Sequence, residues 1–300
     1  MRPSKRLLVC DLDNTLYDWV GYFVRSFYAM VDEVVRITGC DRERLLDDFR
    51  KVHQRHCDSE HPFALLETQL VTDLFPGRAR KDVAQALDPA FHAFNAMRKR
   101  TLSLHSGVRE GLDVLQAAGV ILVAHTDSKL FGAADRLIRL EIAPYFRRIY
   151  CRERPDAVHP APSSVDGWLE RLPMDKVLEL SPEQAKPNPD VLLEICRMES
   201  VQPSDAAYVG DSIARDMLMA KNAGVYGIWA KYGADHSSED YERLVRISHW
   251  TADDVRRERQ LCQEAQLIRP DVVAETSFVE VLRALGVQQR AALSGVERLR

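Results

Sequence analysis

The sequence predicts an α/β protein, a doubly wound parallel sheet with a separate α-helical domain inserted near its start. Three observations predict it. Short apolar runs end abruptly in acidic, hydroxyl or glycine residues, as buried parallel strands do on reaching a loop. From Gly107 onward such runs alternate with amphipathic helical stretches, the pattern of repeated β-α-β units. Between the first run and Gly107 lie roughly eighty residues with helical periodicity and no convincing strand.

In chain order, Leu7-Leu-Val-Cys10 is the first strand, stopping at Asp11-Leu-Asp13. Val20, Phe23, Val24, Phe27, Met30, Val31, Val34 and Val35 recur at intervals of three and four, a helix closed by Gly39. Further helices are expected over 41–56, 62–75 and 80–100, punctuated by His61-Pro62 and Pro76-Gly77. Residues 108–118 then read as helix, 120–124 as strand, 128–140 as helix and 148–151 as strand. Residues 206–209 and 225–230 are strands with a helix over 213–223 between them, and 271–274 and 278–285 are a last strand and helix. Two segments interrupt the alternation. The stretch 154–173, with Pro155, Pro160, Pro162 and Pro173, reads as a surface excursion, and 235–269 is strongly charged and helix-like. The tail 287–300 reads as a fraying helix.

Composition narrows the function. The chain has 300 residues, enough for one large or two moderate domains, and 41 basic against 45 acidic residues give a net charge of −4. That balance argues against a nucleic-acid binder, which would carry a clustered basic surface. No apolar run approaches the length of a membrane span or a secretory signal. The six cysteines lie far apart, which fits reduced thiols in a cytoplasmic protein. No Cys or His pair has the usual ligand spacing beside a second such pair, so a zinc site is not expected.

Four motifs carry chemistry, each at or near the end of a predicted strand, where open parallel sheets bind their ligands. Asp11-Leu-Asp13-Asn-Thr15 puts two carboxylates in one turn, an arrangement that suits a cation or a shared proton, although acidic turns also occur without either. At Thr126-Asp127-Ser128 a hydroxyl and free backbone N–H groups suit a phosphate, or one of the side chains simply caps the next helix. Lys186-Pro-Asn-Pro189 holds a lysine on a stiff turn, where it either neutralises charge at a fixed place or is solvated. Gly210-Asp211 and Asp216 supply a second carboxylate pair; helix capping explains one of them but not both.

The order of these motifs, acidic pair, Thr, Lys, acidic pair, resembles that of the haloacid dehalogenase-like superfamily of hydrolases. The resemblance covers residues 1–16 and 104–287 as a Rossmann-like core and residues 17–103 as the family's inserted helical cap, with the remainder to residue 300 assigned to the core. It implies Asp11 as nucleophile and Asp13 as general acid and base. Thr126 would hold the phosphoryl group, with Asp127 beside it where the family often has Asn, and Lys186 would steady both that group and Asp11. Mg²⁺ would be coordinated by Asp11, Asp211 and the main-chain carbonyl of Asp13, with Asp216 supporting it. An acidic residue two positions after the nucleophile suits a leaving alkoxide, which needs a proton, rather than a halide. The resemblance therefore implies a phosphatase for a small phosphorylated metabolite, a nucleotide or sugar phosphate among the possibilities, working through an aspartyl-phosphate. The alternatives are a phosphate- or partner-binding module without turnover and a 2-haloacid dehalogenase. Aromatic residues Tyr17, Trp19, Tyr22, Phe23, Phe27 and Tyr28 read as bundle core rather than a base-stacking surface, Arg25 as a solvated charge, and His125 as packed. Substrate identity and oligomeric state are left open.

Overall fold

The computed structural model describes residues 3–153, 171–235 and 237–287. Among them a parallel seven-stranded sheet runs in the order β4-β3-β2-β1-β5-β6-β7. The strands are β1 (Leu7–Cys10), β2 (Ile121–Lys129), β3 (Arg148–Arg152), β4 (Val177–Leu180), β5 (Ala206–Gly210), β6 (Tyr226–Ala230) and β7 (Val272–Ala274). β1 is central, paired with β2 through Leu7–Ile121 and with β5 through Leu7–Ala206. All four of its residues are buried, because helices cover both faces; this is why its sequence is continuously apolar rather than alternating. Leu8 and Cys10 face one buried cluster, with Leu112, Leu137 and Phe278. Leu7 and Val9 face the other, with Leu192, Ile195 and Met219.

Two strand expectations change. β4 and the helix Pro189–Met198 were not read from the sequence; the run of β4, Val177-Leu-Glu-Leu180, is short and broken by Glu179. β2 extends five residues past its expected end at Ala124, and the following helix spans Leu130–Arg139 rather than starting at Ser128. The expected helix over 213–223 begins as a wide π turn, Ile213–Met217, and becomes α-helical at Leu218–Asn222.

The helical insertion follows β1. Helix α1 (Trp19–Thr38) is capped by Asp18, which accepts from Gly21 N at 2.8 Å, and ends at Gly39 with φ +68°, a conformation that glycine adopts without steric cost. Helix α2 (Arg42–His56) is capped by Asp41. The single helices expected over 62–75 and 80–100 are each divided. The first is a 3₁₀ turn, Ala64–Glu67, and an α-helix, Gln69–Leu74; the second breaks at Leu87 into Arg80–Ala86 and Asp88–Thr101. The two connections to the sheet domain lie side by side, with Tyr17 bridged to Leu104 and His105 N donating to Leu16 O at 2.9 Å.

The bundle core holds Val24, Phe27, Val31, Leu45 and Phe49, and also Leu244 and Ile247 from the helix Ser238–Ile247. That helix lies in the charged segment the sequence left without a place. It is seated by apolar packing, by Arg25 pairing with Asp240 at 3.2 Å and by Tyr28 donating to the carbonyl of Arg243 at 3.2 Å. The expected surface excursion before Arg171 and the fraying tail after Val287 lie outside the described residues. No helix among those described is long and apolar enough to cross a membrane.

Leu244 is 2 % exposed inside the bundle although it is distant from it in sequence. Leu244→Ala is expected to destabilise the protein by about 2–5 kcal/mol through lost burial and a residual cavity. Chemical denaturation followed by circular dichroism would show it; an unchanged midpoint would mean that this helix is not part of the bundle core.

Candidate active site

Three strand ends and one turn converge on one site. β1 delivers Asp11 and Asp13, β2 delivers Thr126, Asp127 and Ser128, β5 delivers Asp211, and the turn before helix Pro189–Met198 delivers Lys186. Asp216 arrives on the π turn after β5. It lies against Gly210, where an added Cβ would come within 2.3 Å of the Asp216 carboxylate. Glycine there lets the carboxylate close over the strand end.

Asp11 is 5 % exposed and Lys186 7 %. The Lys186 ammonium donates to Asp11 Oδ1 at 2.5 Å and to Asp216 Oδ1 at 2.9 Å, and Thr15 donates to Asp11 Oδ2 at 2.8 Å. Asp216 also accepts from Tyr208 at 3.1 Å and from the backbone N–H of Ser212 at 3.0 Å. Asp127 accepts from the backbone N–H of Lys186 at 3.2 Å and so anchors the lysine turn, whose Lys186–Pro187 peptide is cis. The Asp211 main chain is fixed by Trp229, whose indole N–H donates to its carbonyl at 2.8 Å.

Asp11, Asp211 and Asp216 each bring a carboxylate oxygen into one cluster, all within 4.8 Å of one another. Loss of water around Asp211, then repulsion from Asp11 and Asp216, pushes its carboxyl well above the ordinary range. Burial pushes Asp11 up to about 7, against the opposing pull of Lys186 and with help from Asp216 and Asp13. Burial would lower Lys186, but Asp11 and Asp216 hold it well above its usual value, fully charged. Were all three carboxylates ionised, one ammonium would leave two negative charges uncompensated, a repulsion that adds to burial in raising Asp11 and Asp211, and all the donors are oxygen. That set fits a hard divalent cation such as Mg²⁺.

Asp13 belongs to a second charge cluster. Its Oδ1 accepts from Tyr17 at 2.9 Å, and its Oδ2 from Ser128 at 2.6 Å and Thr126 at 3.2 Å. Arg136, 1 % exposed, pairs with Asp13 at 3.1 Å and with Glu60 at 2.6 Å, and it also donates to Tyr17, Tyr22 and Ser128. Burial alone would lower the Arg136 pKa, but Asp13 and Glu60 raise it well above normal. Glu60 comes from the loop after α2 and Tyr22 from α1, so this guanidinium ties the bundle to the sheet at the acidic turn.

The structure brings together all seven expected residues, Asp11, Asp13, Thr126, Asp127, Lys186, Asp211 and Asp216. It places Thr126 on Asp13, and it puts the Asp13 side chain with Arg136 rather than in the three-carboxylate cluster. His125 is buried, 3.5 Å from Tyr208, and Arg25 pairs with Asp240 rather than with the site. Sequence reasoning missed Arg136, Ser128 and Glu60. Two signals were available. Continuing β2 with its period of two puts Ser128 on the face of Thr126, and helical spacing puts Arg136 on the buried face with Ala133, Leu137 and Leu140. Glu60 carried no such signal.

A family model described as haloacid dehalogenase-like hydrolase matches residues 5–224. The chain thus belongs to the haloacid dehalogenase-like hydrolases. It is similar to phosphoglycolate phosphatase 1 of Pseudomonas aeruginosa, 36 % identical over 268 residues, covering 89 % of this chain and 83 % of the relative. A phosphoglycolate phosphatase of Pseudomonas fluorescens is 30 % identical over 301 residues, covering 96 % and 93 %. A solved structure of a 2-haloacid dehalogenase from Pseudomonas syringae pv. tomato shares the fold, with a TM-score of 0.52 at 22 % identity over 93 % of this chain and 98 % of that one.

The folded-state carboxyl of Asp11 is raised from its ordinary 3.8 to about 7, so the folded protein holds that proton more tightly than the unfolded chain. Without a bound cation, Asp11 therefore costs stability as pH rises from about 4 to 7, and the full cost persists above 7. In chelator, Asp11→Asn is expected to raise the melting midpoint by about 5 °C at pH 8 and to change little at pH 4. A thermal scan at both values decides this. Arg136→Met leaves Asp13 and Glu60 without their cation, and a loss of about 3 kcal/mol is expected at pH 8. The loss should shrink toward pH 5 as the orphaned carboxylates take up protons; denaturant midpoints across that range measure it.

Proposed function

We propose that this chain is a phosphatase for a small phosphorylated metabolite, with 2-phosphoglycolate the first candidate because the full-length relatives carry that name. The observation that carries this reading is the buried Asp11 carboxylate held against the Lys186 ammonium, with a second aspartate, Asp13, two residues further on. A dianionic phosphate approaching Asp11 meets repulsion of several kcal/mol at the effective dielectric of such a site, about 4 kcal/mol for one charge pair 4 Å apart. Lys186 offsets part of it and stays charged through the reaction. A magnesium ion held by Asp11, Asp211 and Asp216 would supply the remaining neutralisation and polarise the phosphoryl oxygens.

In this reading an Asp11 oxygen attacks phosphorus and the bond from phosphorus to the substrate oxygen breaks, leaving an aspartyl-phosphate. Asp13 gives its proton to the departing alkoxide, then takes one from the water that attacks the phosphoenzyme, so phosphate leaves and Asp11 returns as a carboxylate. Thr126 and Ser128, which hold Asp13 here, are placed to trade that bond for one to a phosphoryl oxygen. Residues 17–103, with the helix Ser238–Ile247 packed into them, act as the cap. A cavity of about 720 Å³ between bundle and sheet domain, lined by Tyr22, Phe23, Glu60, Arg98, Arg136 and Arg139 among others, supports binding of the non-reacting part of the substrate there.

The test is Mg²⁺-dependent phosphate release across a panel of phosphorylated metabolites that includes 2-phosphoglycolate. Wild type is expected to turn over at least one of them, with Asp11→Asn reducing the rate at least about 10³-fold and Asp13→Asn slowing breakdown of a trappable phosphoenzyme. Equal inactivity of wild type and Asp11→Asn across the panel, or full activity in chelator, would overturn the proposal.

A further inference from the structure

We propose that His56, His61 and Glu67 form a binding site for a divalent transition-metal ion, with Zn²⁺ the best chemical fit, separate from the carboxylate cluster around Asp11. The three residues lie in the helical bundle and take no part in the charge clusters of the sheet. Each offers one donor atom, and the three donors lie within 4.8 Å of one another. Glu67 Oε2 is 2.8 Å from His56 Nε2, and its Oε1 is 3.0 Å from His61 Nε2. The two imidazoles stack in parallel, with centroids 3.5 Å apart and 4° between their planes. Four-coordinate zinc with bonds near 2.1 Å keeps its ligands about 3.4 Å apart, so the ion requires the donors to part slightly and one of the two parallel rings to turn until both Nε2 lone pairs meet.

Local structure explains why a spacing that no short motif announces converges here. His56 is the last residue of α2, and Cys57 follows in the left-handed region with φ +47°. The chain reverses there, so His61 lies over the ring of His56 instead of continuing away from it. The 3₁₀ turn Ala64–Glu67 then returns the carboxylate to both rings. His61 is 1 % exposed at its side chain, while His56 and Glu67 are about one-fifth exposed, at 23 % and 20 %, which leaves a route for the ion. A metal on Nε2 puts the His61 proton on Nδ1, which is buried with no hydrogen-bond partner among the described residues, a cost that the metal bond must exceed.

Two nitrogens and one carboxylate oxygen form the donor set of open zinc sites, borderline in softness and unlike the oxygen-only cluster at Asp11. A second feature works against the ion: Arg55 pairs with Glu67 at 2.7 Å and Arg80 lies 3.8 Å from it. Arg55 is 57 % exposed at its side chain and free to swing into water. A metal held here would pin the loop between His56 and His61. That loop carries Glu60, the acceptor of both Arg136 and Tyr22.

The experiment uses chelator-stripped full-length protein titrated with Co²⁺ and, separately, Zn²⁺. It is done in an Asp211→Asn background, so that the carboxylate cluster contributes least, with circular dichroism confirming that each variant is folded. The expected result is one ion per chain, the visible absorption of a four-coordinate Co²⁺ centre, and a rise in the melting midpoint. His61→Ala and the near-isosteric Glu67→Gln should each weaken binding at least about 100-fold, since loss of a ligand exceeds the 10–100-fold cost of losing a supporting partner. Arg55→Gln should tighten it, and His92→Ala, an exposed histidine elsewhere in the bundle, should leave it unchanged. The proposal is overturned if no saturable binding occurs below millimolar ion, or if binding persists undiminished in a folded Glu67→Gln variant.

Discussion

The contact on which the site depends is the Lys186 ammonium between Asp11 and Asp216. Three carboxylates drawn from two strand ends and the turn after β5 repel one another in a buried site, and burial with that repulsion raises the carboxyls of Asp11 and Asp211. A single cation placed at hydrogen-bond distance from two of them lets Asp11 stay at least partly ionised near neutral pH. The elements around it serve that placement. Asp127 holds the backbone of the lysine turn, Tyr208 and Ser212 fix Asp216, and Thr15 holds the far oxygen of Asp11. The remaining negative charge is what makes the pocket a receptor for a hard cation.

Arg136 solves the same electrostatic problem one layer away. It is the largest of the fully buried side chains, and it is tolerated there because Asp13, Glu60, two tyrosine hydroxyls and a serine satisfy its donors. Since Glu60 and Tyr22 belong to the bundle and Asp13 to β1, the position of the bundle and the setting of the proposed acid–base residue share one guanidinium. The turn holding Asp13 is closed from the other side too. Gly233 passes so near the Asn14 carbonyl that a Cβ would fall 1.7 Å from it, and Tyr232 donates to the carbonyl of Thr15 at 2.9 Å. The acidic turn is clamped from several directions, which is the rigidity that in-line attack needs.

Much of this was legible in the sequence, and the misses have physical causes. Five of the strands appeared at nearly their observed positions because each is a largely apolar run cut off by a polar turn; β2 also appeared but ran longer. β4 escaped because Glu179 breaks its short run, Val177-Leu-Glu-Leu180. The helices over 62–75 and 80–100 were drawn too long, since amphipathic spacing survives across local breaks: Thr68 caps a new helix by accepting from Val71 N, and Pro89 stands in the first turn of the helix after Leu87. All seven expected site residues converge, yet the Arg136–Glu60 pair beside Asp13 was not foreseen, because it joins a helix to the loop after α2 and Glu60 carries no local mark of proximity.

What the chain decides locally is the alternation of strands and helices, the insertion after β1, and the delivery of acidic, hydroxyl and basic groups to strand ends; periodicity and turn chemistry act over a few residues and can be read one segment at a time. Which charges become neighbours was decided only by the tertiary structure. Leu244 joined a bundle built from residues far ahead of it, Arg136 met Glu60, and two histidines came to rest against Glu67. Burial energies and desolvated ion pairs depend on what lies across a gap in space, and nothing in the order of residues records that separation.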